Sequence, residues 1–211
     1  MAVKPGAVPD GPRIRPLPAR EWPDAMREAL AALRPPEPRH PLPRRDADRP
    51  KALNALGTFA RYPALTRAFH TFNGHVLFAS TLSTRQRELL VLRVAWVRRC
   101  TYEWAQHVVL ARDAGLASDE IARVAEGADG TGWSPLERAM LSAVDELLGD
   151  AMVADATWTA LATELDEQQL MDLVFTVGAY DALAMAFLSL GVELDDDLAA
   201  VLGNDLLDPG D

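Results

Sequence analysis

Four side chains in the stretch RELLVLRVAWVRRCTYEWAQH, residues 87–107, have types and spacings suited to moving protons or electron pairs. Cys100 is the only cysteine of the chain, Glu103 follows it by three residues and His107 by seven, and Glu88 precedes it by twelve. A helix turns once in about 3.6 residues, so offsets of three and seven bring Cys100, Glu103 and His107 to one face. There a carboxylate can orient an imidazole, and an imidazole can lower the pKa of a thiol. On a straight helix Glu88 stands about 120° away from that face. It joins the others only if the chain turns near Arg98–Cys100 and two helices pack antiparallel. No Gly or Pro marks such a turn. With the turn, Cys100 lies at a helix N-terminus, where the macrodipole favours a thiolate.

Each residue also has a plain structural reading. A lone cysteine is commonly a small buried hydrophobe. Glu103 and His107 make an i, i+4 surface pair as readily as a dyad. Glu88 fits the first turn of a helix, where a solvated carboxylate is favourable. A metal centre of Cys100, Glu103 and His107 with His75 as fourth ligand lacks the close Cys or His pairs typical of such sites. No metal is therefore expected. His70 and His75, in FHTFNGHVLF, either line a pocket or sit in the core. Trp96 and Trp104 either wall an apolar pocket beside the four residues or pack as ordinary core. Arg93, inside LLVLRVAWV, is at an edge or paired with an acid.

The elements that would position these groups read as helices throughout. Periodicity and caps place them near 24–33, 51–57, 64–79, 84–98, 101–114, 118–126, 135–150, 155–164 and 167–190, with a last short one at 195–202. Ser83 with Gln86 forms a capping box, and Ser134, Pro135 and Glu137 form another start signal. Asp166 and Ser118 open similar starts, and Gly115 stands where a C-cap belongs. No hairpin signal occurs. The fold class is all-α, a bundle of packed apolar helix faces.

The first fifty residues differ from the rest. Of 15 prolines, 12 fall in residues 1–50. Residues 1–51 carry a balance of +4 and residues 52–211 one of −14, giving the net −10 of the chain. We read 1–50 as a Pro-rich N-terminal arm with one short helix, disordered or lying on a partner subunit, and 51–211 as the helical domain. A net charge of −10 argues against nucleic acid as a partner. No uninterrupted apolar run approaches the roughly 20 residues of a membrane span, so no membrane association is expected. The N-terminal stretch lacks a signal-type apolar core and the single cysteine suits a reducing compartment, so the expected location is cytoplasmic.

The stretch TLSTRQRELLVLRVAWVRRCTYEWAQHVVLARDAGLASDEIARV resembles the carboxymuconolactone decarboxylase superfamily, which includes alkyl hydroperoxidase D. The likeness continues through WSPLERAMLSAVDELLGDAMVADATWTAL and QQLMDLVFTVGAYDALAMAFLSLGVELD, and covers roughly residues 53–195. The peroxidase branch carries a glutamate, eleven residues, then Cys-x-x-Cys-x-x-x-His. Glu88, Cys100 and His107 match three of these positions, and Glu103 stands where the second cysteine belongs. A single cysteine cannot close the internal disulfide of that cycle. Glu103 and His107 resemble the decarboxylase branch, which does cofactor-free acid/base chemistry on a small lactone carboxylate. The resemblance implies an alkyl hydroperoxidase D-like helical bundle that assembles as a homo-oligomer (dimer, trimer or hexamer). The helix 167–190, apolar nearly all round, is an interface candidate or a central core helix.

The expectation is a cofactor-independent acid/base enzyme of decarboxylase, isomerase or hydratase/lyase type, acting on a small organic acid or carbonyl compound. His107 is read as the base or acid, Glu103 as the group that orients it or shares its proton, Glu88 as a second acid/base group, and Cys100 as a polarisable acid or bystander. The alternatives are a single-cysteine peroxidase using Cys100 with an outside thiol, and a silent ligand-binding member of the family.

Overall fold

The computed structural model describes residues 11–41 and 50–202. Among them there is no strand, and ten α-helices follow one another in the order expected. They are α1 (Ala25–Ala31), α2 (Leu53–Phe59), α3 (Pro63–Gly74), α4 (Thr84–Val97), α5 (Thr101–Asp113), α6 (Ser118–Arg123), α7 (Pro135–Asp150), α8 (Asp155–Ala162), α9 (Glu167–Leu190) and α10 (Asp196–Leu202). The helix expected at 64–79 divides into α3 and a π-helical turn, His75–Ala79. That expected at 118–126 ends as α6 and passes into a 3-10 turn, Val124–Asp129.

The starts follow the capping chemistry. Ser83, Ser134 and Asp166 each close a reciprocal box with Gln86, Glu137 and Gln169. Such a box satisfies amide donors that a helix N-terminus otherwise leaves open. At α6 the cap position is Ala117 rather than Ser118, and the Glu120 carboxylate accepts from the Ala117 amide at 2.9 Å.

The helical hairpin α4–α5 sits at the centre, with cores on both sides. One lies between α4, α7 and α9 and includes Leu90, Val94, Met140, Val144, Leu173 and Val177. The other lies between α4, α5 and α6, around Leu89, Leu92, Trp104, Val108, Ile121 and Trp133. Trp96 and Trp104 lie 5.4 Å apart, centroid to centroid, and belong to this second core. They are packing residues, not the walls of a pocket. Arg93 is paired: it makes a two-point bridge to Asp145 at 2.7 and 2.9 Å and donates to the Val124 and Ala125 carbonyls.

The described part of the arm lies on its own chain. Met26 and Ala29 of α1 are buried with Ala60. The Gly74 backbone comes so close to the end of α1 that a Cβ there would stand 2.6 Å from the Leu33 carbonyl oxygen. Arg39 and His40 amides donate to the Phe78 carbonyl, and those of Arg13 and Ile14 to that of Leu190. The division near residue 50 is thus one of composition, while packing joins residues 11–41 to the helices that follow. Residues 1–10 and 42–49 of the arm, and the chain beyond α10, lie outside the described residues.

The helix α9 is long and apolar enough to cross a membrane by length and composition, with a mean hydropathy of 1.8. Asp172, Tyr180 and Asp181 interrupt its apolar run, which is why a search for an unbroken stretch passes over it. One of its faces, including Leu173, Val177, Tyr180 and Phe187, is buried in the bundle. The opposite face leaves Met171, Phe175 and Met185 exposed at 61%, 54% and 55%. Gly178 and Ala182 lie between them on the same exposed line. The spacing of four, three, four and three residues averages the 3.5 of a helix–helix seam.

Candidate functional site

The turn that the four residues need is present. The last helical residue of α4 is Val97, and Arg99 reverses the chain in the left-handed region at φ 53°. A non-glycine residue rarely adopts that conformation. Neighbouring contacts hold it, since Arg98 pairs with Asp181 of α9 at 2.5 Å. Cys100 is the N-cap of α5. Glu88 on α4 then lies beside His107 on α5, and its Oε2 is 2.7 Å from His107 Nδ1.

Glu88 is fully buried. Burial pushes its carboxyl up, but the charge and hydrogen bond of His107, and then those of Arg87, hold it below the ordinary carboxylate range. An ionised Glu88 is acceptor only, so His107 Nδ1–H donates to it. Arg87 closes the other side of Glu88: Nε lies 2.8 Å from Oε1, and Nη1 donates to the Leu77 carbonyl at 2.6 Å. Tyr180 of α9 presents its ring edge-on to the imidazole, with centroids 4.7 Å apart. Burial, and then the charge of Glu88, push its phenol well up.

Glu103 is in a different state. It is 1% exposed, and neither carboxyl oxygen has a hydrogen-bond partner. Burial, then the negative charge of Asp181, raise its carboxyl well above the ordinary value of 4.5. Its environment therefore pushes it toward the protonated form, while that of Glu88 favours the carboxylate. The sequence reading that Glu103 orients His107 is corrected here: the imidazole is held by Glu88. Offsets on one helix show which residues share a face, but not which partner comes closer from the neighbouring helix.

Cys100 has the helix N-terminal position expected for it and the opposite electrostatics. Burial, then the Glu103 carboxyl once it ionises, push the thiol up, against the pull of the Glu103 and Tyr102 amides. Desolvation outweighs the helix dipole here. Cys100 lines a cavity of about 230 Å³ with Arg99, Tyr102, Phe187, Val192 and Glu193. The arm reaches this cavity too. Gly11 is on its wall, and at Gly191, the left-handed cap of α9, a Cβ would stand 2.7 Å from the Gly11 carbonyl oxygen.

His70 is buried with Nδ1 2.9 Å from the Ala29 carbonyl oxygen, a core histidine. His75 lies apart from the four and pairs with Asp172, so it does not complete a metal centre with them. Among the described residues no group of three His, Cys, Asp or Glu is placed to hold a metal ion. The sequence reading missed Arg87 and Tyr180. A signal existed for each: a basic residue next to the key carboxylate, and a phenol within a nearly apolar helix.

The state of Glu103 has a measurable consequence. Above pH 4.5 the unfolded chain releases this proton while the folded chain keeps it. The stability it contributes below that pH is lost as pH rises toward the folded value, at about 1.4 kcal/mol per unit. Thermal melts of Glu103→Gln should therefore depend less steeply on pH between about pH 5 and 7 than those of the parent. Parallel curves would show that Glu103 titrates normally.

Residues 63–146, from α3 into α7, match the model of the carboxymuconolactone decarboxylase family. The alkylhydroperoxidase AhpD core protein from Ralstonia eutropha superposes with a TM-score of 0.62 at 20% identity, covering 78% of this chain and 95% of that one. A putative antioxidant defence protein AhpD from Agrobacterium tumefaciens gives 0.61 at 19% identity over 65% of this chain and 94% of that one. A cysteine-to-alanine variant of the debrominase Bmp8, in complex with 2,3,4-tribromopyrrole, gives 0.68 at 13% identity over 90% and 95%. No curated protein matches the sequence. Fold and sequence together define an all-α protein with the alkyl hydroperoxidase D-like architecture. Residues 63–146, less than half of the chain, are thus similar in sequence to the carboxymuconolactone decarboxylase family.

Proposed function

We propose that the protein is a cofactor-independent acid/base enzyme of the cytoplasm, acting on a small organic acid or carbonyl compound. The observation that carries this reading is the contrast between two buried glutamates: Glu88 bonded to His107 and Arg87, which favours its carboxylate, and Glu103 without a partner, which favours its protonated form. Two titratable groups pushed apart by their environments are the usual division between a base and an acid. His107, held by Glu88, takes a proton at Nε2. Glu103 donates one, or donates a hydrogen bond to an oxygen on which charge develops. Decarboxylation, isomerisation and elimination each move a proton next to a carbonyl and can use such groups. That a fold relative binds a compact bromopyrrole ring supports a small-molecule substrate.

A second reading, thiol chemistry at Cys100, is favoured by one fact: Cys100 meets a cavity. The raised thiol pKa opposes it, because the thiolate is the nucleophile. The variants Cys100→Ser and His107→Ala, assayed on a panel of small carboxylic acids and carbonyl compounds, decide between the two. Proton transfer at His107 leaves Cys100→Ser the milder change, whereas thiol chemistry makes it the more damaging.

The exposed seam of α9 supports a homo-oligomer in which Met171, Phe175 and Met185 meet a second copy of the chain. Phe175→Glu places a charge in the middle of that seam. Sedimentation should show the parent as an oligomer and the variant shifted toward the 23.0 kDa protomer. A parent that sediments as a protomer at micromolar concentration contradicts it.

A further inference from the structure

We propose that His75, held by Asp172, and the cavity that His75 borders form a second small-molecule site, for a compact ligand with one carboxylate or phosphate and a neighbouring hydroxyl. The proposal stands apart from the proton-transfer reading of Glu88 and His107 and needs none of their chemistry.

His75 opens the π-helical turn His75–Ala79 that ends α3. Such turns recur at functional sites, because they re-aim side chains out of helical register. Its Nε2 is 2.8 Å from Asp172 Oδ1. The other oxygen of Asp172 accepts from the Thr81 amide at 2.6 Å and the Thr81 hydroxyl at 2.7 Å. Burial alone would push this carboxyl up, but the Thr81 bonds and His75 hold it below the ordinary range. Asp172 is thus an acceptor fixed by three donors, and His75 is the donor at Nε2. In the neutral ring Nδ1 then carries the lone pair. It has no partner among the described residues.

A structural histidine closes its bonds inside the core, as His70 does. His75 does the reverse: its side chain is 53% exposed while that of its carboxylate is 11% exposed. The ring is held in one orientation with its free nitrogen open, the state in which imidazole accepts a proton or a hydrogen bond from a ligand.

The cavity is about 930 Å³, large enough for a small molecule. It lies between the end of α1 with residues 34–37 on one side, and Arg67, Thr71 and His75 on the other. Of its two guanidinium groups, that of Arg67 is engaged by Glu28 at 3.3 Å. Arg34 has no acidic partner among the described residues, and it is exposed. A planar guanidinium matches the two oxygens of a carboxylate or phosphate. Glu37 on the same wall repels a second anionic group, which restricts the ligand to one. A hydroxyl on that ligand is the donor that Nδ1 of His75 lacks.

The test follows the His75 imidazole by NMR while lactate or glycerol phosphate is added, each carrying one oxyanion and a hydroxyl. The expected result is a saturable shift of the His75 signals in the millimolar range with at least one probe, with those of His70 unmoved. Saturation by lactate alone assigns a carboxylate ligand, and by glycerol phosphate alone a phosphate ligand. Arg34→Gln, an exposed substitution that leaves the core untouched, should weaken the affinity about tenfold or more. No saturable shift with either probe overturns the proposal. So does a shift of full size in Arg34→Gln, which marks a general salt effect.

Discussion

Replacing His107 by alanine should lower turnover by about 10²–10⁴-fold and leave the helical content unchanged, because that is the range a positioned acid or base contributes. The size of the loss separates chemistry from packing. The ring touches Tyr180 edge-on and the Glu88 carboxylate, and its removal leaves a small void. Such a void costs stability but not orders of magnitude in rate. Glu88 keeps Arg87 as a partner in this variant, so the carboxylate is not stranded. A variant with turnover within a few fold of the parent would remove His107 from the mechanism.

The second large effect is on folding. Glu88→Ala should cost about 3–5 kcal/mol, because it removes one member of a buried ion pair and leaves a charge uncompensated. Arg87 is 6% exposed and would keep only its bond to the Leu77 carbonyl. For a chain of this size the melting temperature should fall by about 6–20 °C. Glu88→Gln should be milder in stability, since the amide oxygen still accepts from Arg87. It should remain damaging to activity, since the amide cannot hold an imidazolium. Urea unfolding of the two variants reads the difference. A loss below about 1 kcal/mol for Glu88→Ala would mean that Arg87 reaches water when its partner leaves.

Helix positions were legible in the sequence because their signals are local. The boxes at Ser83, Ser134 and Asp166 each involve side chains three residues apart, and the structure repeats them. The hairpin turn was harder to read. An Arg99 in left-handed conformation leaves no trace in composition, unlike a glycine in the same place. The grouping of Cys100, Glu103, His107 and Glu88 could be read from spacing and from family likeness, whereas the pairing within it could not. Whether His107 is bonded to Glu88 or to Glu103 depends on how α4 and α5 cross, which is a tertiary quantity. The same holds for ionisation: Glu103 is pushed toward its protonated form because burial removes it from water and Asp181 lies near. The packing of the arm was hidden for a related reason. Proline content showed that residues 11–41 would not form long helices, but not that Met26 and Ala29 would find a place against Ala60.

The division of labour between Glu88 and Glu103 can be tested without a substrate, by following their carboxyl carbons with ¹³C NMR as pH is varied. The predicted result is that Glu103 carries its proton at neutral pH while Glu88 is ionised, and that Glu88 stays ionised below the ordinary glutamate value of 4.5. A Glu103 that titrates near 4.5, or a Glu88 that holds its proton at neutral pH, would contradict the assignment of acid and base.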